Sequence, residues 1–265
     1  MNALNSRGQS LSWPTRLLTS IAAILVLGAC VHSDPDRPGA KKGNAAEFNV
    51  QLGIAYLRQG NLPLAKEKLD RAMKEGPQDP TVHSAMALLY DRLDKPAQAD
   101  EEFRTALRLG PTNPEIINNY AVYLCRIGRT DEGVKYFMQA AHNGLYTTPE
   151  GAYTNAGVCL RAAKRYDAAA QNFEKALSVR PNYSEAAYQL IDLHFTRGEL
   201  AEARAQLDRY LGAFDSTPDI LLIGVRVTRA QGDRLAAEKM SRRLRVDFPG
   251  SDQARALTEL DRNPG

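Results

Sequence analysis

The chain is poor in the residues from which most active sites are built. Its 265 residues include three cysteines, four histidines and a single tryptophan, Trp13. The histidines (His32, His83, His142 and His194) fall in no HExxH or other ligand spacing, and no CxxC pair is present for zinc. A glycine-rich phosphate loop and a GxSxG nucleophile elbow are both missing. These absences argue against an enzyme, a metal centre or a cofactor site. Net charge is scarce as well. It is +3, and Arg7 and Arg16 account for two of it, leaving the remainder near neutral at +1. That balance gives no reason to expect a nucleic-acid partner.

What is present begins with an export signal. Arg7 and Arg16 form a positive n-region, and Leu17 to Leu27 is an uncharged, mostly apolar run of 11 residues. A bilayer takes about 20 residues to span, so this run is a leader rather than a transmembrane helix. It ends in Leu27-Gly28-Ala29-Cys30, which resembles the bacterial lipobox, in which cleavage before the cysteine frees it for lipid attachment. The resemblance implies residues 1–29 as a signal peptide and Cys30 as an acyl anchor. Val31, rather than aspartate, follows the cysteine, which by the usual sorting rule implies the periplasmic face of the outer membrane. Residues 30–45, rich in proline, glycine and charge, are expected to form a flexible tether.

From Ala46 a pattern recurs every 34 residues, the period of the tetratricopeptide repeat, a helix–turn–helix unit. Blocks 46–79, 80–113 and 114–147 bring small residues together (Gly53, Ala87, Ala121; Ala65, Ala99, Gly133; Ala72, Ala106, Ala140) and large ones likewise (Leu69, Phe103, Phe137). The insertion Thr148-Pro149 shifts the frame, and blocks 150–183, 184–217 and 218–251 restore it, the last of them degraded. Small residues let two helices approach closely; large ones fill the space between neighbouring repeats. Asp79-Pro80, Asn113-Pro114, Thr148-Pro149 and Thr217-Pro218 each read as a capping side chain followed by proline at the first helical position. Gly60, Gly128, Gly198 and Gly232 fall at the turns within repeats. Ser251 opens a last helix within 252–265 whose Ala254, Leu257 and Leu260 share a face, the cap that a solenoid needs. The expected fold is all-α: a right-handed superhelical solenoid of about six tetratricopeptide repeats with a C-terminal capping helix.

Three features of this solenoid invite a functional reading. Cys125 and Cys159 stand on consecutive first helices, 34 residues apart, and read either as a disulfide between repeats three and four or as two buried thiols. Val50, Ile54 and Leu57, at i, i+4 and i+7 of the first helix, form an apolar stripe that Leu88 extends. Facing solvent, such a stripe marks a partner site; otherwise it packs on the tether or a neighbouring element. Arg58, Arg92 and Arg126 recur every 34 residues as a basic ladder, suited either to a carboxylate-bearing partner or to internal pairing with acids such as Asp91 or Glu115. The cluster Lys239, Arg242, Arg243 and Arg245 reads as a solvated face.

The segments NNYAVYLC (118–125), GRTDEGVKYFMQAA (128–141) and LYTTPEGAYTNAGVCL (145–160), behind a lipobox cysteine and ahead of further repeats, resemble the type IV pilus biogenesis lipoproteins of the PilF/PilW family. The resemblance covers the mature chain. It implies an outer-membrane lipoprotein pilotin that binds the pilus secretin and promotes its localisation and multimerisation. It also implies a disulfide at Cys125 and Cys159 and a secretin-binding apolar patch near repeat one, at Val50, Ile54 and Leu57. A reading from another class remains open: a general periplasmic adaptor for envelope or cell-wall enzymes.

Overall fold

Alternating small and large residues pair the helices. A Cβ on Gly157 would lie 2.5 Å from the ring of Phe173, so only glycine lets the two helices of that pair come so close. The computed structural model describes residues 42–262; the leader, Cys30 and most of the tether lie outside the described residues. Thirteen helices and no strand occur among the described residues. The first twelve form antiparallel pairs: α1 (Lys42–Arg58) with α2 (Leu62–Glu75), α3 (Pro80–Arg92) with α4 (Pro96–Leu109), and α5 (Pro114–Arg126) with α6 (Thr130–Ala141). After the insertion come α7 (Pro149–Ala162) with α8 (Tyr166–Val179), α9 (Ser184–Thr196) with α10 (Leu200–Ala213), and α11 (Pro218–Ala230) with α12 (Arg234–Asp247). Each first helix also packs on the first helix of the next pair, so the fold is an all-α tetratricopeptide solenoid. No described helix is long and apolar enough to cross a membrane.

The core runs along the whole array. Phe103, Phe137 and Phe173 occupy equivalent places on the second helices and are at most 1% exposed, while Ala72, Ala106, Ala140 and Ala176 are fully buried one turn on. The last surface is covered by α13 (Asp252–Arg262), which starts with a bond from the Ala254 amide to the Ser251 hydroxyl at 3.1 Å. Its Ala254 and Leu257 join Leu221, Val225 and Leu244 in one cluster.

Two local expectations need correction, and the degraded last repeat departs from the frame in its own way. α1 opens at Lys42, ahead of Ala46 and inside the stretch read as tether. Asp79, Asn113 and Thr217 accept backbone amides at their helix starts, but Thr148 does not. Its ψ of 55° departs from the extended backbone of Asp79 (119°) and Asn113 (111°), the conformation that aims a capping oxygen back at the amides. In the last pair the close approach is made by Gly224, whose Cβ would meet Met240 at 2.6 Å, one residue before the place the 34-residue frame assigns.

Candidate partner-binding groove

The apolar stripe of the first helix is not a solvent-facing one. Val50 (7% exposed) and Leu57 (5%) belong to the core cluster that also holds Val82, Met86 and Leu89 of α3. Seven residues apart on one seam, they are the positions that meet the neighbouring helix, so their apolar character serves packing between repeats. Ile54 and Leu88 sit beside that cluster and are half-buried. What the sequence reading passed over is that the place held by Ile54 and Leu88 is filled by Val122 and Val158 in the next two repeats. Both are exposed, at 44% and 41%. The signal was available, because the four residues share one repeat position.

Cys125 and Cys159 are joined by a disulfide, with Cα atoms 5.6 Å apart, tying α5 to α7 across the inserted turn. Above it lies a cavity of about 240 Å³ lined by Val122, Arg126, Asn155, Val158 and Ala162, with the two sulfur-bearing residues and Phe137 as its floor. It is mostly apolar, with one cation and one amide at its edge.

The arginine ladder divides. Arg58 and Arg92 are exposed and make no ion pair among the described residues. Arg126 pairs with Asp91 of α3, and its guanidinium stands 5.7 Å from the centre of the Tyr123 ring. Of the two internal partners considered, Asp91 is the one used.

Beyond Val158 the groove turns polar. The next residue in the same position is Asp192, 8% exposed, and it accepts Arg161 at 2.6 Å and Arg226 at 3.3 Å. The Arg226 guanidinium also lies 4.7 Å from the centre of the Phe195 ring. Burial and then the nearby Asp192 push the Tyr188 hydroxyl's pKa above its usual range. Two cations on one carboxylate, with an aromatic beneath one of them, make a closed network rather than an open binding charge.

Other polar features are structural. Nδ1 of His83 lies 2.6 Å from Glu102, and Nδ1 of His194 lies 2.7 Å from Glu199. In the C-terminal basic cluster, Arg243 meets Asp247 at 3.7 Å and Arg245 pairs with Asp261. Among the described residues no group of three or more His, Cys, Asp or Glu is placed to hold a metal. Tyr210 replaces the alanine of earlier repeats, and a cavity of about 390 Å³ opens beside Leu177, Leu190 and Phe214.

Comparisons with known proteins agree with this architecture. Residues 160–222 match a family model described as "Tetratricopeptide repeat". The chain is 28% identical to the type IV pilus assembly protein PilF of Pseudomonas aeruginosa, over 88% of this chain and 94% of that protein. The solved structure of Pseudomonas aeruginosa PilF superposes with a TM-score of 0.61 at 28% identity, over 82% of this chain and 98% of the other. That of PilW, described as a widely conserved type IV pilus biogenesis factor, gives 0.62 at 27% identity, over 80% and 98%.

Proposed function

Taking this chain as a type IV pilus tetratricopeptide-repeat protein, homologous to PilF and PilW, we propose that it is a non-enzymatic outer-membrane scaffold that binds the pilus secretin. Lipid on Cys30 holds it at the periplasmic face of the outer membrane. Bound secretin subunits are thereby concentrated where they insert and multimerise. A single acyl chain holds a protein only marginally, so stable anchoring would take more than one chain on the cysteine.

The observation that carries this reading is homology to PilF over 88% of this chain and 94% of that protein. The groove supports it: a disulfide-stapled array with exposed aliphatic side chains and exposed arginines suits a protein ligand.

The test is co-purification of the secretin with the full-length chain from detergent-solubilised outer membrane, alongside a deletion strain and a Cys30→Ala variant. The expected result is secretin in the wild-type eluate, fewer heat-stable secretin multimers in the deletion strain, and mislocalised secretin with Cys30→Ala. Should the wild-type chain bring down no secretin and the deletion leave multimers intact, the pilotin reading is wrong.

A further inference from the structure

The outward row of α12 differs from that of every other second helix. Leu235, Lys239, Arg242, Arg243 and Val246 fall within about 100° of its circumference. Ala237, Ser241 and Leu244 point the other way and are buried in the array. An aliphatic side chain stands in the open at either end of the row: Leu235 is 83% exposed and Val246 70%. Between them, Lys239 and Arg242 are exposed and make no ion pair among the described residues. Arg243 reaches Asp247 only at 3.7 Å. Glu238 and Asp247 border the row on its two flanks, which leaves the positive charge along its crest.

The two middle places hold a pair of cations on no other second helix. They are Glu67 and Asp70 on α2, Gln171 and Glu174 on α8, and Ala205 and Asp208 on α10, while α4 and α6 have one cation each. The places of Leu235 and Val246 are taken by Ala201 and Gly212 on α10. The row on α12 therefore does not come from the repeat.

We propose that this row of α12 lies on an anionic phospholipid surface. That the surface is near rests on the anchor at Cys30 read above; the choice of lipid rests on α12. Lysine and arginine can lay their stems along apolar surface and keep their charges among the headgroups, while exposed aliphatic groups enter the boundary with the acyl chains. An acidic protein would answer the cations alone. It would also need apolar patches about 17 Å apart to meet Leu235 and Val246, eleven residues apart along the helix. A headgroup layer is the same everywhere in its plane and needs no such match. Acyl chains and a basic patch are also two separate anchoring signals, and together they hold a protein more firmly than either does alone.

The test uses the mature, lipidated chain purified from outer membrane and placed in vesicles of phosphatidylcholine, alone or in equal parts with phosphatidylglycerol. Trp13 is the one tryptophan and lies in the leader, so a tryptophan introduced at Val246→Trp is read against wild-type emission. In the mixed vesicles its emission should move to shorter wavelength and be quenched by brominated lipid. In phosphatidylcholine alone, and for Glu101→Trp on the outward row of α4, it should do neither. Each basic side chain near such a surface is worth about fivefold in affinity. Lys239→Glu with Arg242→Glu should therefore abolish the shift, and high salt should weaken it. Circular dichroism melting curves matching wild type establish folding; if Val246→Trp melts early, Leu235→Trp takes its place.

Equal emission in both vesicles, or a shift that survives the charge reversal, overturns the inference. A shift seen only when secretin is added gives the face to that protein and overturns it too. In either case secretin that still co-purifies leaves the scaffold reading standing. A chain that stays with neither kind of vesicle refutes the anchor at Cys30 and the contact at α12 together.

Discussion

A Cβ built on Gly133 would lie 2.5 Å from the Sγ of Cys125. Other repeats carry alanine at this place (Ala65, Ala99, Ala169, Ala203 and Ala237), so the sulfur fills volume that a methyl group fills elsewhere. Within a helix, Gly→Ala ordinarily gains about 1 kcal/mol. Here Gly133→Ala should instead cost about 1–3 kcal/mol, because the core is overfilled. Urea titrations of a double-mutant cycle with Cys125→Ala check this. A penalty unchanged by removing the sulfur would refute the coupling.

The bridge itself should be measurable. Replacing Cys125 and Cys159 together with serine should lower unfolding stability by about 2–4 kcal/mol. In chain unfolded without reductant, a thiol reagent should leave both cysteines unlabelled until reductant is added. Immediate labelling of either would mean that the bridge is not formed in the purified protein.

Asp192 gathers two arginines while its side chain is 11% exposed. Removing the carboxylate leaves Arg161 and Arg226 facing one another. Fully buried pairs cost about 3–5 kcal/mol to break. The arginines are 25% and 38% exposed, so water screens part of that. Asp192→Ala should therefore cost about 1–3 kcal/mol. Asp192→Asn should cost less, since one acceptor oxygen remains. Equal stability of all three chains in urea would show the network to be energetically idle.

Deleting residues from Asp252 onward uncovers Leu221, Val225 and Leu244, each fully buried in the intact chain. The truncated protein should lose hydrogen-exchange protection in α11 and α12 first and self-associate more readily. Uniform loss along all helices would indicate a single cooperative unit rather than an array that opens from its end.

Acid should destabilise the array in a defined sense. Asp233 is held below its ordinary value of 3.8, first by the Ala236 amide and then by Arg204. Glu67 and Glu132 are held below 4.5, chiefly by hydrogen bonds from Lys68 and Arg129. A carboxyl with a lowered folded pKa stabilises fully above its unfolded value and loses that contribution as pH falls through the folded one. Melting temperature should stay level from neutrality to about pH 5 and fall below it, less steeply in Asp233→Asn. A rise on acidification would contradict the sign.

The repeat was legible because it is written in side-chain volume: glycine or alanine against leucine or phenylalanine at fixed intervals, which the paired helices then realise. Val50 and Leu57 were harder to place. An apolar residue at a groove position and one at an inter-repeat seam look alike in sequence, and only the orientation of α1 against α3 separates them. Asp94 (φ 54°) and Lys164 (φ 60°) make the tight turns that Gly60 and Gly128 make elsewhere, so glycine spacing alone understated the regularity. The pairing of Arg126 with Asp91 depends on side-chain reach across helices, which spacing does not reveal.

A stack of helix pairs behaves as a coil spring, each joint between repeats yielding a little under load. The bond between Cys125 and Cys159 locks the joint where the insertion interrupts the period. Tension applied at the N-terminal end would pass through that joint covalently instead of stretching it. Chemical reduction would then soften the middle of the spring while leaving its end turns as stiff as before.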